Sequence, residues 1–130
     1  MKKIKFLYLT IFMIMALTPI SCKAQAPQPD IQTAIIGTWL AEDDPNVKLV
    51  FNSDGTYKTY YDNELTGTYT YSFSHQCGSE SDEKAWFLKT IHQEYLDQAC
   101  YEVYGANADN NRTLSMREMR IGKLFIYTKQ

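Results

Sequence analysis

Leu65-Thr66-Gly67-Thr68-Tyr69-Thr70-Tyr71-Ser72-Phe73 is the stretch whose reading decides the fold. In an extended chain, successive side chains point to opposite faces. Leu65, Tyr69, Tyr71 and Phe73 then share one face, with Gly67 between them, while Thr66, Thr68, Thr70 and Ser72 share the other. A helix would scatter those rings around its circumference, so the period of two assigns a half-buried strand. Upstream, Val47, Leu49 and Phe51 alternate with Lys48 and Asn52, although Val50 breaks the outer face. Ser53-Asp54-Gly55-Thr56 comes next, where Asp-Gly supplies the positive φ that a tight hairpin turn requires. A second alternating run, Tyr57 to Tyr61, follows at once.

Outward from these elements, the pattern predicts strands over 35–42, 46–52, 55–61, 64–73, 84–91, 98–105, 112–118 and 121–128. Short polar segments such as Asp43-Asp44-Pro45, Asp62-Asn63 and Ala106 to Asn111 separate them. No stretch has the period of an amphipathic helix, although Asp30 to Ile36 has room for one turn, with Asp30 as its cap. Sequential antiparallel strands leave a closed barrel or a sandwich. Short connections favour the meander, because Greek-key crossings need longer links. Closure also removes the edges that invite pairing with another chain. The expectation is an all-β chain with one small up-and-down antiparallel barrel of about eight strands.

With 130 residues there is room for one such domain and a leader. The formal net charge is −2, and removal of Lys2, Lys3 and Lys5 leaves 10 basic against 15 acidic residues. A net-negative domain lacks the clustered Lys and Arg that phosphate backbones demand, so no nucleic-acid partner is expected. A hydrophobic content of 45% excludes a disordered chain.

Residues 1–21 have the three parts of a secretory signal peptide. Lys2, Lys3 and Lys5 form the charged region, and Phe6 to Leu17 is an almost unbroken apolar run. As a helix that run reaches about 18 Å, short of a bilayer core of roughly 30 Å, so it reads as an export segment and not a span. Pro19-Ile20-Ser21-Cys22 resembles a bacterial lipobox, in which a small residue precedes a cysteine that is lipidated and becomes the mature N-terminus. Pro19 stands where that motif usually has a Leu-like residue. The resemblance implies a lipid anchor on Cys22. Lys23 replaces the Asp of the inner-membrane retention signal, which directs the expectation to the outer membrane. Ordinary cleavage after Ala24-Gln25-Ala26, giving a soluble secreted protein, is the competing reading. Residues 22–30 read as a flexible tether and 31–130 as the barrel domain.

Gly37-Thr38-Trp39, just after the candidate helical turn, resembles the Gly-x-Trp opening motif of lipocalins. Phe51 to Tyr57 (Phe-Asn-Ser-Asp-Gly-Thr-Tyr) is similar to the second hairpin of small bacterial lipocalin-like lipoproteins. The resemblance spans roughly residues 31–128 and implies that Trp39 plugs the closed end of the barrel. It also implies a basic side chain near the last strand packed across the indole, with Arg120 and Lys123 near the right place. The family's second motif, Thr-Asp-x-x-Tyr, has no equivalent in this chain.

With Cys22 assigned to lipid, Cys77 and Cys100 remain as an even pair in an oxidising compartment. In a strict meander they start near opposite barrel ends, whereas a disulfide needs Cα atoms within about 7 Å. The segment Ser74 to Glu83 is long enough to fold back along the wall and close that gap. A zinc site from His75, Cys77, His92 and Cys100 is the alternative, but His75-x-Cys77 is tighter than the usual spacing. Ala106 to Asn111 lacks the alternating acids and terminal Glu of a calcium loop, and reads as a turn. Glu42-Asp43-Asp44 reads as a solvated corner. No Gly-x-Ser-x-Gly, phosphate loop or His-Glu-x-x-His is present, so an enzyme is not expected, and neither cofactor nor metal is implied.

Tyrosine is the abundant chemistry. An interior lined by Tyr57, Tyr69, Tyr71, Phe73 and Tyr101 would pair broad apolar faces with hydroxyl groups and suit a small hydrophobic or amphipathic ligand. Against this, eight strands enclose a space that side chains alone can fill. The functional expectation is an envelope lipoprotein binding such a ligand at the end opposite Trp39. The alternative is a protein–protein module, such as an envelope sensor or protease inhibitor, with a filled core and active loops.

Overall fold

The computed structural model describes residues 30–130; the segment expected to be a signal peptide (1–21), the lipobox-like Cys22 and residues 23–29 of the expected tether lie outside the described residues. One short helix, α1 (Ile31–Ala34), precedes ten strands. Asp30 caps it, its carboxylate accepting from the Gln32 amide at 3.3 Å. The barrel strands are β1 (Gly37–Ala41), β2 (Val47–Phe51), β3 (Thr56–Tyr61) and β4 (Glu64–Ser74), then β7 (Trp86–His92), β8 (Gln98–Ala106), β9 (Thr113–Glu118) and β10 (Leu124–Lys129). Two short strands, β5 (Gln76–Cys77) and β6 (Glu80–Ser81), make a separate hairpin.

The eight long strands close into one antiparallel ring in the order β1-β10-β9-β8-β7-β4-β3-β2. Apart from the β5–β6 excursion and the closing β1–β10 pair, every neighbour in the ring is a neighbour in the chain, which is the expected meander. Closure is made by β1 and β10, with Trp39 opposite Lys129 and Ala41 opposite Tyr127. Local chemistry sets the turns. Gly55 has φ +82°, and Asp54 accepts from the Thr56 amide at 2.9 Å, which folds the β2–β3 connection. The same Thr56 contacts hold the Asp54 carboxyl below its ordinary range. Asp62 and Asn63 take φ +48° and +66°, as a two-residue hairpin with two left-handed positions requires.

The interior cluster runs through Trp39, Leu49, Phe51, Tyr57, Leu88 and Leu114, with Tyr69, Tyr71 and Phe73 packed against it. The aromatic face of 65–73 therefore points inward, with one correction. Leu65 is 55% exposed and does not share that face. Thr59 opposes Gly67 while the next residue, Tyr60, opposes Leu65, so Thr66 is an extra residue in β4. A bulge shifts the alternation by one, turning Leu65 out and setting the still exposed Thr66 hydroxyl 2.9 Å from that of Thr59. Gly67 is needed beside it. A Cβ there would lie 2.7 Å from the Tyr69 ring, which covers the glycine.

Trp39 is fully buried, and its indole N–H donates to the Ile35 carbonyl at 2.6 Å. The basic group across it is neither Arg120 nor Lys123, which stand in the β9–β10 loop at the far end. It is Lys129, on β10 itself, with Nζ 5.2 Å from the ring centroid and donating to the Ala34 carbonyl at 3.2 Å. Strand register explains the substitution, because Lys129 is directly opposite Trp39. Gly37, at φ +130°, leaves room for that lysine; a Cβ would meet its Cε at 3.0 Å.

Cys77 and Cys100 form a disulfide with Cα atoms 5.9 Å apart. The β5–β6 hairpin folds back over the outer wall of β7, as the length of Ser74 to Glu83 allows. Phe87 and Cys77 are buried there, outside the interior cluster. The bond thus staples an external flap to β8 and seals Phe87. Replacing both cysteines by alanine is expected to cost about 3 kcal/mol, read as a lowered urea midpoint with the meander intact. An unchanged midpoint would show that the flap is held by packing alone.

Candidate functional site

The barrel has two unlike ends. Strand starts and ends place α1, Trp39, Phe51, Ala106 and Lys129 at one end, where the indole and the helix close it. At the other end lie the connections 42–46, 62–63, 93–97 and 119–123, and there the interior opens. A cleft of about 290 Å³ is lined from β2, β3, β4, β8, β9 and β10, with Leu49, Tyr57, Tyr69, Tyr101, Met116 and Tyr127 among its residues. Beside it a second lobe of about 400 Å³ adds Thr90, Asp97, Gln98 and Arg120. Tyr57, Tyr69 and Tyr101 line both cavities, so the mouth holds a cup of two adjoining cavities with a shared tyrosine lining. Ligand pockets begin at about 300 Å³, so the cup is of the size that takes a small molecule.

Ring stacking builds the wall. Phe51, Tyr57 and Tyr69 stack across β2, β3 and β4, with centroids 4.8 Å and 4.6 Å apart and rings within 18° and 12° of parallel. Cross-strand register brings them together, since Phe51 opposes Tyr57 and Tyr57 opposes Tyr69. Each such pair adds about 0.5–1.5 kcal/mol beyond its area burial. His92 closes the column edge-on to Tyr69 at 4.8 Å, and its Nδ1 accepts from the Glu94 and Tyr95 amides at 3.1 and 3.2 Å. The imidazole therefore fastens the 93–97 loop to the wall.

Of the five sequence-predicted lining residues, the structure brings Tyr57, Tyr69 and Tyr101 together at the mouth. Tyr71 and Phe73 lie farther along β4, towards the closed end. The Tyr71 hydroxyl donates to the Asn52 carbonyl at 2.7 Å, and Phe73 packs edge-on against Trp86 at 6.5 Å. Neither lines the cup. Met116, Phe125 and Tyr127 were not singled out by sequence, although Phe125 and Tyr127 sit at alternate positions of the last strand. Thr90 and Asp97 carry no sequence signal, because only the tertiary fold brings them to a cavity that Tyr57 also lines.

Burial raises the phenols of Tyr57 and Tyr127 well above the ordinary tyrosine range. Tyr101 is raised too, first by desolvation and then by the Glu118 carboxylate opposite it on β9. These groups stay un-ionised at neutral pH and can donate or accept hydrogen bonds inside the cup. Glu118 is itself buried, with its two oxygens accepting from the Arg120 and Ile121 amides at 3.1 and 3.0 Å. It shapes the β9–β10 turn.

Other sequence candidates are scattered. His75 stacks on Trp86 at 4.1 Å, whereas His92 stands at the opposite end of β7, and both cysteines are committed to their disulfide. Ala106 to Asn111 forms a turn containing a single 3₁₀ turn at Ala108–Asn110. Among the described residues no three His, Cys, Asp or Glu side chains converge.

Most of the exposed apolar residues gather at the mouth, Tyr104 near the far end of β8 being the exception. Leu65, Tyr95, Leu96, Ile121 and Leu124 are each at least half exposed, and Tyr61 is close to it. Leu96 also holds a left-handed backbone at φ +60°, a conformation that strains any side chain but Gly. Comparison with protein-family models, curated proteins and solved structures returns no match to this chain.

Proposed function

We propose that this chain is an envelope lipoprotein, anchored to the outer membrane through Cys22, whose lipocalin-like barrel binds a small hydrophobic or amphipathic molecule at the end opposite Trp39. The supporting observation is the tyrosine-walled cup at that end. Its stacked rings offer preformed apolar area, worth about 25 cal/mol per Å² once covered by a ligand. Its phenols orient the occupant, because a buried polar group left unpaired is costly. The reading assigns binding to the cup, which phenols, Thr90, Asp97 and Arg120 line.

Native mass spectrometry of the full chain from its own host tests this. The expected spectrum carries the acyl mass on Cys22 and a further mass that survives native but not denaturing conditions. An unmodified N-terminus at Pro27 would remove the anchor, and identical native and denatured masses would remove the ligand.

A second reading, a protein–protein module acting through its loops, is favoured by one observation: Tyr95 and Leu96 stand more than 65% exposed on the strained 93–97 loop. The double substitution Tyr95→Ser and Leu96→Ser separates the two. It leaves the retained mass unchanged if the cup holds the ligand, and abolishes capture of a partner if the loop is the working surface.

A further inference from the structure

We propose that a cavity at the end of the barrel closed by α1 is filled by this chain's own residues 24–29, laid as a polyproline II segment against Trp86 and Tyr104. The docking is independent of what the cup binds; its consequence for orientation rests on the anchor read at Cys22.

The cavity measures about 490 Å³ and shares no residue with the cup. Ile31, Trp86, Val103, Tyr104 and Ala106 give it apolar walls, with Asp30 and Lys84 as its charged members. A bulge shapes it: Val103 opposes Met116 and Gly105 opposes Ser115, so Tyr104 is an extra residue in β8. The Tyr104 ring is 55% exposed, yet its hydroxyl is fixed, donating at 2.9 Å to the Glu102 oxygen that Arg117 also holds. Trp86 stays partly exposed although His75 stacks on it at 4.1 Å. Two held aromatic side chains beside buried Val103 and Ala106 make a preformed groove of the kind that receives proline-rich segments.

Where the described chain begins names the occupant. Asp30 is the first described residue and itself lines the cavity, so the chain before it departs from the cavity wall. The six residues preceding Asp30 are Ala24-Gln25-Ala26-Pro27-Gln28-Pro29. A polyproline II helix has three residues per turn and rises about 3.1 Å per residue. At that period Ala24 stands over Pro27, Ala26 over Pro29, and Gln25 over Gln28. Two edges of the segment are therefore apolar and the third carries both amides, which suits a segment with two edges on protein and one in water. Its full length of about 19 Å is ample to cross a cavity of this volume. None of its side chains is charged, so docking strips no ion of water. Docking leaves only Lys23 between the docked stretch and Cys22. A lipid on that cysteine then holds the α1 end against the membrane and turns the mouth of the cup away from it.

Fluorescence tests the docking, because the chain has two tryptophans and Trp39 is fully buried, which leaves Trp86 as the indole a soluble quencher reaches. The full chain from its own host is placed in phosphatidylcholine vesicles and titrated with acrylamide. Trp86 is expected to resist the quencher in the unaltered chain. It should lose that protection in the double variant Pro27→Ser and Pro29→Ser, and in Ala26→Gln, which sets an amide on an apolar edge. The double variant Gln25→Ser and Gln28→Ser alters only the solvent edge and should keep the protection. Equal quenching of the unaltered chain and the proline variant would overturn the proposal, as would an equal loss from the glutamine variant. A difference that persists once Trp86→Phe is added to both chains would overturn it too. Orientation is read in the same vesicles by energy transfer from tryptophan to a dansyl-labelled lipid headgroup, which should fall in the proline variant. Transfer equal in the two chains would overturn the orientation. Protection of Trp86 with no transfer at all would remove the anchor at Cys22 and leave the docking standing.

Discussion

Trp39→Ala is expected to lower the unfolding free energy by about 3–5 kcal/mol. A domain of this size has only about 5–15 kcal/mol in total, so the variant should sit near the edge of folding at room temperature. The indole is fully buried, and two groups lose their partner with it. The Ile35 carbonyl loses a 2.6 Å donor, the Lys129 ammonium loses the ring beneath it, and the closed end gains a cavity between α1 and β10. Trp39→Phe keeps a ring for Lys129 but no N–H for Ile35, and should cost about 1–3 kcal/mol more than a shape change alone. Urea unfolding followed by circular dichroism measures both. A midpoint for Trp39→Ala within error of the wild type would mean that the plug is decoration and that the barrel is closed by its strand pairing.

The second large effect is at alkaline pH. Tyr57 and Tyr127 are 6% and 5% exposed, and desolvation raises both phenols above the ordinary value near 10. The folded state keeps their protons where the unfolded chain releases them. Above about pH 10 the unfolded state therefore binds fewer protons, and stability must fall with rising pH. Below that pH the contribution is fully present. Each group costs roughly 1.4 kcal/mol per pH unit, so the pair removes about 5 kcal/mol by roughly pH 12. Urea midpoints taken across that range should drop steeply, with tyrosinate absorbance for the buried rings appearing only as the fold is lost. Tyr57→Phe should halve the slope. Full tyrosinate absorbance near pH 10 from a barrel that is still folded would refute the assignment of these rings to the interior.

Much of the architecture is legible in local pattern. The alternation of 65–73, the Asp54-Gly55 turn and the short polar links at Asp62-Asn63 are each satisfied by residues adjacent in the chain. Where the reading slipped, the cause was a contact between distant residues. Leu65 alternates correctly with Tyr69 in sequence, and only the mismatch between β3 and β4 at Thr59 shows that β4 carries an extra residue. The basic residue over Trp39 is similar. Arg120 and Lys123 precede the last strand and Lys129 ends it, and β1–β10 register decides among them.

The candidate site divides in the same way. Tyr57, Tyr69 and Tyr101 are visible as inward positions of three strands, because periodicity assigns a face. Periodicity does not assign depth along the barrel, so Tyr71 and Phe73 looked equivalent to Tyr69 although they lie towards the closed end. Thr90 and Asp97 had no pattern to announce them.

From the chain alone came the period-two alternation, the turn chemistry and the inward aromatic face, since each depends on backbone geometry between near neighbours. The β1–β10 register, the seat of the Cys77–Cys100 bond over Phe87 and the depth at which each ring lines the cup came only with the tertiary structure. These rest on register between strands far apart in sequence, and one residue of slip would exchange every inward side chain for an outward one.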